Sequence, residues 1–188
     1  MNWAVFAMFT YVALALQMGL ASALQIDSRF GAVEPRFVLI LAVLIALCAS
    51  ARTTLIAWAV LGALLDLLCT HALAESRGLT LIGPYALGYL GGGFVALQVR
   101  AGILRYHPLA FAFMVLICGA AVHLIVVGVF ALRGMLYPDM PGWSGGTELL
   151  LRLCSLAYTA ALGALLAIPL LKTSGLFAFH NAKFRHRG

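Results

Sequence analysis

Charge is what this chain of 188 residues has least of: Asp, Glu, Lys and Arg together make up only 10%, against 64% hydrophobic residues. A water-soluble domain carries about a quarter charged residues, so this surface cannot be meant for water. That scarcity implies an integral membrane protein. The four cysteines, Cys48, Cys69, Cys118 and Cys154, form no CxxC and no Cys/His metal spacing, which argues against a zinc or redox centre and leaves them as small packing residues. Paired carboxylates at membrane depth, a Ser/His/Asp arrangement and an HExxH motif are also missing. No enzyme, cofactor or metal is therefore expected. The net charge is +6, yet no basic stripe with interleaved aromatics suits nucleic acid.

What is present is a series of long apolar runs. Six can be drawn: Trp3–Leu24, Phe37–Ala51, Thr53–Cys69, Leu79–Leu97, Pro108–Leu132 and Leu149–Leu171. A membrane span takes roughly 17–25 residues. The second and third runs are short and divided only by Arg52. One helix over both would bury Arg52 near its centre, so two helices with a tight turn at Ser50–Thr54 are expected. The first run contains Ala21-Ser22-Ala23, which imitates a signal-peptidase site. No Lys or Arg precedes it, however, and the run is too long for a signal core, so a retained helix is expected.

Loop charges test the division. Connections two and four and the tail hold Arg52, Arg100, Arg105, Lys172, Lys183, Arg185 and Arg187 without an acid. The odd connections hold Arg29, Arg36, Arg77 and Arg133, together with Asp27, Glu34, Glu75, Asp139 and Glu148. The basic excess puts the even side in the cytoplasm. Both termini then lie there, which requires an even number of spans, as six provides. The expected organisation is an all-α, six-helix transmembrane domain over 1–172 followed by a basic cytoplasmic tail over 173–188. The tail "FAFHNAKFRHRG" mixes aromatic and basic residues and suits either an anionic leaflet or solvent. In the fifth connection, "RGMLYPDMPGWSGGTE", Pro and Gly break helix, and Thr147 is positioned to cap the sixth helix with Glu148 in its first turn.

The third run ends in "LGALLDLLCTHAL", and its carboxylate needs an explanation. Helical spacing aligns Ala59, Gly62, Ala63, Asp66 and Thr70 on one face. Small residues let helices approach closely, so Asp66 is expected to face protein, pinning two helices or capping the N-terminus of a neighbour. An ion or proton site is the competing possibility. Arg152 is a candidate partner for Asp66, but Glu148 stands four residues before Arg152 in the favourable order and is preferred. His123, deep in the fifth run, is expected to bond a neighbouring helix, and His71 is too poorly spaced from Asp66 for a metal pair. In "GPYALGYLGGG", Gly88 and Gly92 form a GxxxG spacing that suits close helix packing, while Pro84 bends the fourth helix or marks its first turn.

The segment "PRFVLILAVLIALCASARTTLIAWAVLGALLDLLCTHAL" resembles the core of the bacterial rod-shape-determining MreD family: Pro35-Arg36 at the entry to the second helix, Arg52 at a short cytoplasmic turn, and Gly62…Asp66-Leu67 closing the third. The following "YALGYLGGGFVALQVR" is similar to that family's aromatic-glycine helix. The likeness covers about residues 30–105. It implies a non-enzymatic scaffold of the bacterial inner membrane that binds the bitopic protein MreC. Through MreC it would serve the MreB filament, the glycosyltransferase RodA and a penicillin-binding transpeptidase in side-wall peptidoglycan synthesis. The family in turn resembles the S-components of energy-coupling-factor transporters in its six-helix bundle, so a substrate-binding S-component for a vitamin or other small molecule is the alternative. Gly62, Asp66, Gly88, Gly92 and Arg152 are the residues expected to carry helix packing or partner binding, with Gly88 and Gly92 on the helix facing Gly62.

Overall fold

The computed structural model describes residues 2–20, 23–28, 31–68, 83–102, 107–136 and 145–173. Among them the chain is helical apart from one small hairpin. The helices are α1 (Trp3–Ala15), α2 (Phe37–Cys48), α3 (Ala51–Leu68), α4 (Pro84–Val99), α5 (Pro108–Leu136) and α6 (Gly145–Thr173). Among the described residues four stretches are long and apolar enough to cross a membrane: Trp3–Leu20, Ala51–Leu68, Pro108–Leu132 and Gly146–Leu170.

The departures from expectation are local. The first run is not one regular helix: α1 passes into a π-helical turn at Leu16–Leu20. A short antiparallel hairpin then follows, pairing Ile26–Ser28 (β1) with Gly31–Val33 (β2). The break between α2 and α3 falls at Ala49–Ser50, one residue before the expected turn, and Arg52 sits exposed in the first turn of α3. Ser50 sets that start, since its carbonyl accepts the Thr54 N–H at 2.9 Å and its hydroxyl lies 2.9 Å from Thr53 Oγ1. Thr147 does not cap α6, because the helix already begins at Gly145; Glu148 does lie in the first turn. The basic tail lies outside the described residues, Thr173 excepted.

The centre of the bundle is α2. Every residue from Phe37 to Leu47 is buried, and the helix touches α1, α3, α4, α5 and α6. A helix apolar on all sides belongs inside other helices. At 12 residues it is about 18 Å long, well short of the ~30 Å hydrocarbon layer. Its ends therefore meet protein. Arg100, at the end of α4, donates from Nη1 to Ala46 O (3.1 Å) and Ala49 O (2.8 Å). Trp58 Nε1 donates to Ala42 O at 2.8 Å. At the other end, the Arg36 N–H donates to Thr159 Oγ1 (2.9 Å) and the Glu34 N–H to Ser155 Oγ (3.3 Å), both on α6. Arg100, Thr159 and Ser155 thus bond carbonyl and amide groups at or beyond the ends of α2, where helical partners run out, while Trp58 adds a second donor to a carbonyl within the helix; this matters most where water is excluded.

Successive helices alternate in direction. One end of the bundle gathers the end of the π-turn, the hairpin, the start of α2, the end of α3 and the starts of α4 and α6. The other end gathers the α2–α3 junction and the end of α4.

Candidate functional site

Most of the buried polar side chains cluster at the first of these ends. Asp66, in the last turn of α3, is 1% exposed. Its Oδ2 accepts the Gly83 and Ala86 N–H groups, and its Oδ1 the Tyr85 N–H, each at 2.9 Å. The accounting at the start of α4 is then complete. Pro84 has no N–H, Tyr85 and Ala86 bond Asp66, and Leu87 bonds the Gly83 carbonyl at 2.9 Å. A helix normally leaves its first N–H groups without acceptors; here a carboxylate from another helix supplies them and also meets the positive end of the helix dipole. Gly83 precedes the helix at φ 139°, a conformation only glycine adopts readily, and this turns its N–H toward Asp66.

Gly62 makes this approach possible. It lies one turn before Asp66 on the same face. A Cβ there would sit 2.6 Å from Tyr85 O and 2.8 Å from Ala86 Cα, both backbone atoms. The Gly-x-x-x-Asp spacing thus works as one device: glycine admits the start of α4 and the carboxylate fastens it.

Gly88 and Gly92 do not face Gly62. They face α5: a Cβ on Gly88 would lie 2.7 Å from Val126 Cγ2 and 3.0 Å from Val122 O, and one on Gly92 2.5 Å from Val122 Cγ2 and 3.1 Å from Cys118 O. α4 does face Gly62, as expected, but it does so through Tyr85 and Ala86, a turn before the GxxxG pair; Gly92 also lies against α3, where a Cβ would meet Trp58 Cζ3 at 2.8 Å. Both interfaces are filled by this chain's own helices.

Arg152 is buried on α6. Its Nε donates to Glu148 Oε1 at 2.7 Å, its Nη1 donates to Tyr85 Oη at 3.1 Å, and the guanidinium stands 5.8 Å from the centre of the Tyr85 ring. Its ionic partner is thus Glu148, not Asp66. Tyr85 links the two groups, with its backbone N–H on Asp66 and its phenol on Arg152. The sequence offered no separate signal for Tyr85, since an aromatic after Pro84 is unremarkable until α6 is seen beside it.

His123 overturns its expectation. It is buried on α5, and neither ring nitrogen has a hydrogen-bond partner among the described residues. It lines a cavity with Gln17, Arg36, Leu39, Leu65, Tyr85, Tyr89 and Val122, in which there is room for about one water molecule. Gln17 arrives from the π-helical turn, donating from Nε2 to Pro35 O at 3.3 Å, while its Oε1 and Arg36 Nε are buried with no partner among the described residues. His71, Glu75, Tyr137 and Trp143 lie outside the described residues. Among the described residues no three His, Cys, Asp or Glu side chains come together as a metal site would require.

Compared with known proteins, the chain matches no family model, no curated protein and no solved structure.

Proposed function

We propose that this chain is a non-enzymatic scaffold of the bacterial inner membrane, of the MreD kind. In this reading all six helices belong to one S-component-like membrane bundle with both termini in the cytoplasm. The bundle binds MreC and so helps hold the wall-synthesis machinery, with MreB, RodA and a penicillin-binding transpeptidase as indirect partners, and keeps the cell rod-shaped.

One observation carries the reading: the membrane-depth acid that would mark an ion or proton path is fully engaged by three backbone N–H groups of a neighbouring helix. Its role is to hold helices in register, and the other long-range polar contacts, from Arg100, Trp58 and Arg152, do the same. The faces left open are apolar. On α1 these are Trp3, Met8, Tyr11 and Val12, which suit lipid or a partner's membrane helix.

The test is a tagged pull-down from bacterial membranes with identification of the captured chains. Recovery of an MreC-like bitopic protein and wall synthases is expected. Their absence, with the bait folded and membrane-bound, overturns the proposal.

A second reading, a transporter S-component, draws on the cavity that Gln17, Arg36 and His123 share. Against it stands size, since a space for about one water does not take a vitamin. Co-purifying ATPase subunits, or a saturable thermal shift with a vitamin, would favour it over the scaffold.

A further inference from the structure

The start of α2 carries a positive charge with no ion-pair partner among the described residues. α2 is 12 residues long, and its N-terminus presents the positive end of the helix dipole. Arg36 immediately precedes it, with Nε buried and unbonded. No carboxylate among the described residues answers that guanidinium: Asp66 is occupied by three N–H groups, Glu148 is bonded to Arg152, and neither Glu34 nor Asp27 forms an ion pair with Arg36. A helix start and one arginine do not make a site by themselves, but His123 is an independent witness. It is 4% exposed, lines the same cavity, and has neither nitrogen bonded. A neutral imidazole carries one donor and one acceptor, and each left unmet in a buried place costs about 1–3 kcal/mol. Gln17 Oε1 adds an unmet acceptor, delivered by a π-helical turn, an irregularity frequent at functional sites.

The occupant must therefore accept from Arg36 and from His123, donate to Gln17, and bring negative charge. A water meets the hydrogen bonds but not the charge. The slot has the width of one oxygen. We propose that it receives one oxygen of a phosphate-class oxyanion that also carries a hydroxyl. The oxygen that enters is that of the hydroxyl: it accepts from Arg36 Nε–H and the His123 N–H and donates its proton to Gln17 Oε1, while the anionic oxygens stay outside the slot. Inorganic phosphate and the headgroup of phosphatidylglycerol share this chemistry. The assignment does not depend on the scaffold role.

The test uses the full chain in a maltoside detergent, stripped of lipid. Thermal unfolding is followed with sodium phosphate against sodium chloride at equal ionic strength, and with phosphatidylglycerol against a glycosyl-diacylglycerol of the same acyl chains. At least one oxyanion should stabilise saturably over its control; phosphate alone identifies a soluble ligand, phosphatidylglycerol alone a lipid headgroup. Arg36→Gln and His123→Leu should each weaken that binding about tenfold or more, as loss of a charge-assisted or buried hydrogen bond predicts, while His123→Gln, which keeps a donor and an acceptor, retains most of it. If a variant does not fold, the imidazole nitrogen resonances of His123 in the unsubstituted chain give the readout, and they should move saturably with the same ligand. No stabilisation by either oxyanion over its control, binding undiminished in the variants, or unmoved imidazole resonances would each overturn the assignment.

Discussion

The Asp66 carboxylate and the Tyr85 backbone N–H meet at 2.9 Å across the contact between α3 and α4, and the phenol of the same tyrosine reaches Arg152 on α6. Three helices are thereby fastened at one end of the bundle through a single residue's two polar groups. An acid in an apolar run needs such an arrangement, because an unpaired carboxylate is costly to bury and a paired one is stable only when its lone pairs are filled.

Replacing Asp66 by Leu should strand three N–H groups, that of Tyr85 buried and those of Gly83 and Ala86 part-buried. Each lost acceptor costs on the order of 1–3 kcal/mol, and the three are not additive, so a loss of about 3–5 kcal/mol is expected. Asp66→Asn keeps one acceptor oxygen and should lose less. Denaturant titration in mixed micelles measures both. If the bundle's integrity supports MreC binding, Asp66→Leu should also reduce MreC co-purification and disturb cell shape, whereas unchanged yield and shape would count against that link.

Gly62→Ala should be harmful out of proportion to its one added methyl. The new Cβ would meet backbone at 2.6 Å, which a side-chain rotation cannot relieve, and the cost of such overpacking is about 1–3 kcal/mol. Gly128 on α5 is the control, since nothing lies within 4 Å of its Cβ position. Gly128→Ala should be neutral or gain up to about 1 kcal/mol from helix propensity. Equal effects at the two sites would contradict the close approach of α3 and α4.

Arg152 should be held more by Tyr85 than by Glu148. The glutamate side chain is 33% exposed, and an ion pair at i,i+4 on a part-open face contributes under about 1 kcal/mol. The tyrosine hydroxyl bonds a buried charge, for which about 1.5–3 kcal/mol is typical. Double-mutant cycles with Tyr85→Phe and Glu148→Gln against Arg152→Leu should return the larger coupling for tyrosine; the reverse order would refute this ranking.

Reporter fusions at the two ends should read the same side of the membrane, the cytoplasm, if all six helices span. Ends on opposite sides would remove one span and, with it, the orientation given by the loop charges.

How much of this was legible beforehand varied with the physics involved. That Asp66 faces protein followed from Gly62 and Ala63 on its stripe, because helical spacing fixes which residues share a face. Which group it bonds did not follow, since that depends on where α4 begins, and the run Leu79–Leu97 gave no sharp start before Pro84 and Gly83 were seen together. The GxxxG spacing of Gly88 and Gly92 announced a close contact but could not name α5 as the neighbour. The shortness of the second run is compatible with a helix that borrows flanking residues or with a short helix packed on its neighbours; its unbroken hydrophobicity is the sign that favours the second, a helix enclosed on all sides. The π-turn at Leu16–Leu20 and the hairpin after it left no mark in hydropathy, being too short for either period to register. His123 was expected to find a partner because most buried histidines do, and a sequence cannot count acceptors in three dimensions.

The most direct measurement of the central claim is residue-resolved amide hydrogen exchange at Gly83, Tyr85 and Ala86, compared between the unsubstituted chain and Asp66→Asn. If the α3 carboxylate fastens the start of α4, these three amides are protected in the unsubstituted chain, and the substitution speeds exchange by about tenfold or more at those that lose their acceptor oxygen while amides in the middle of α5 stay unchanged. Fast exchange at all three positions before any substitution, or rates that the substitution leaves untouched, would contradict the account.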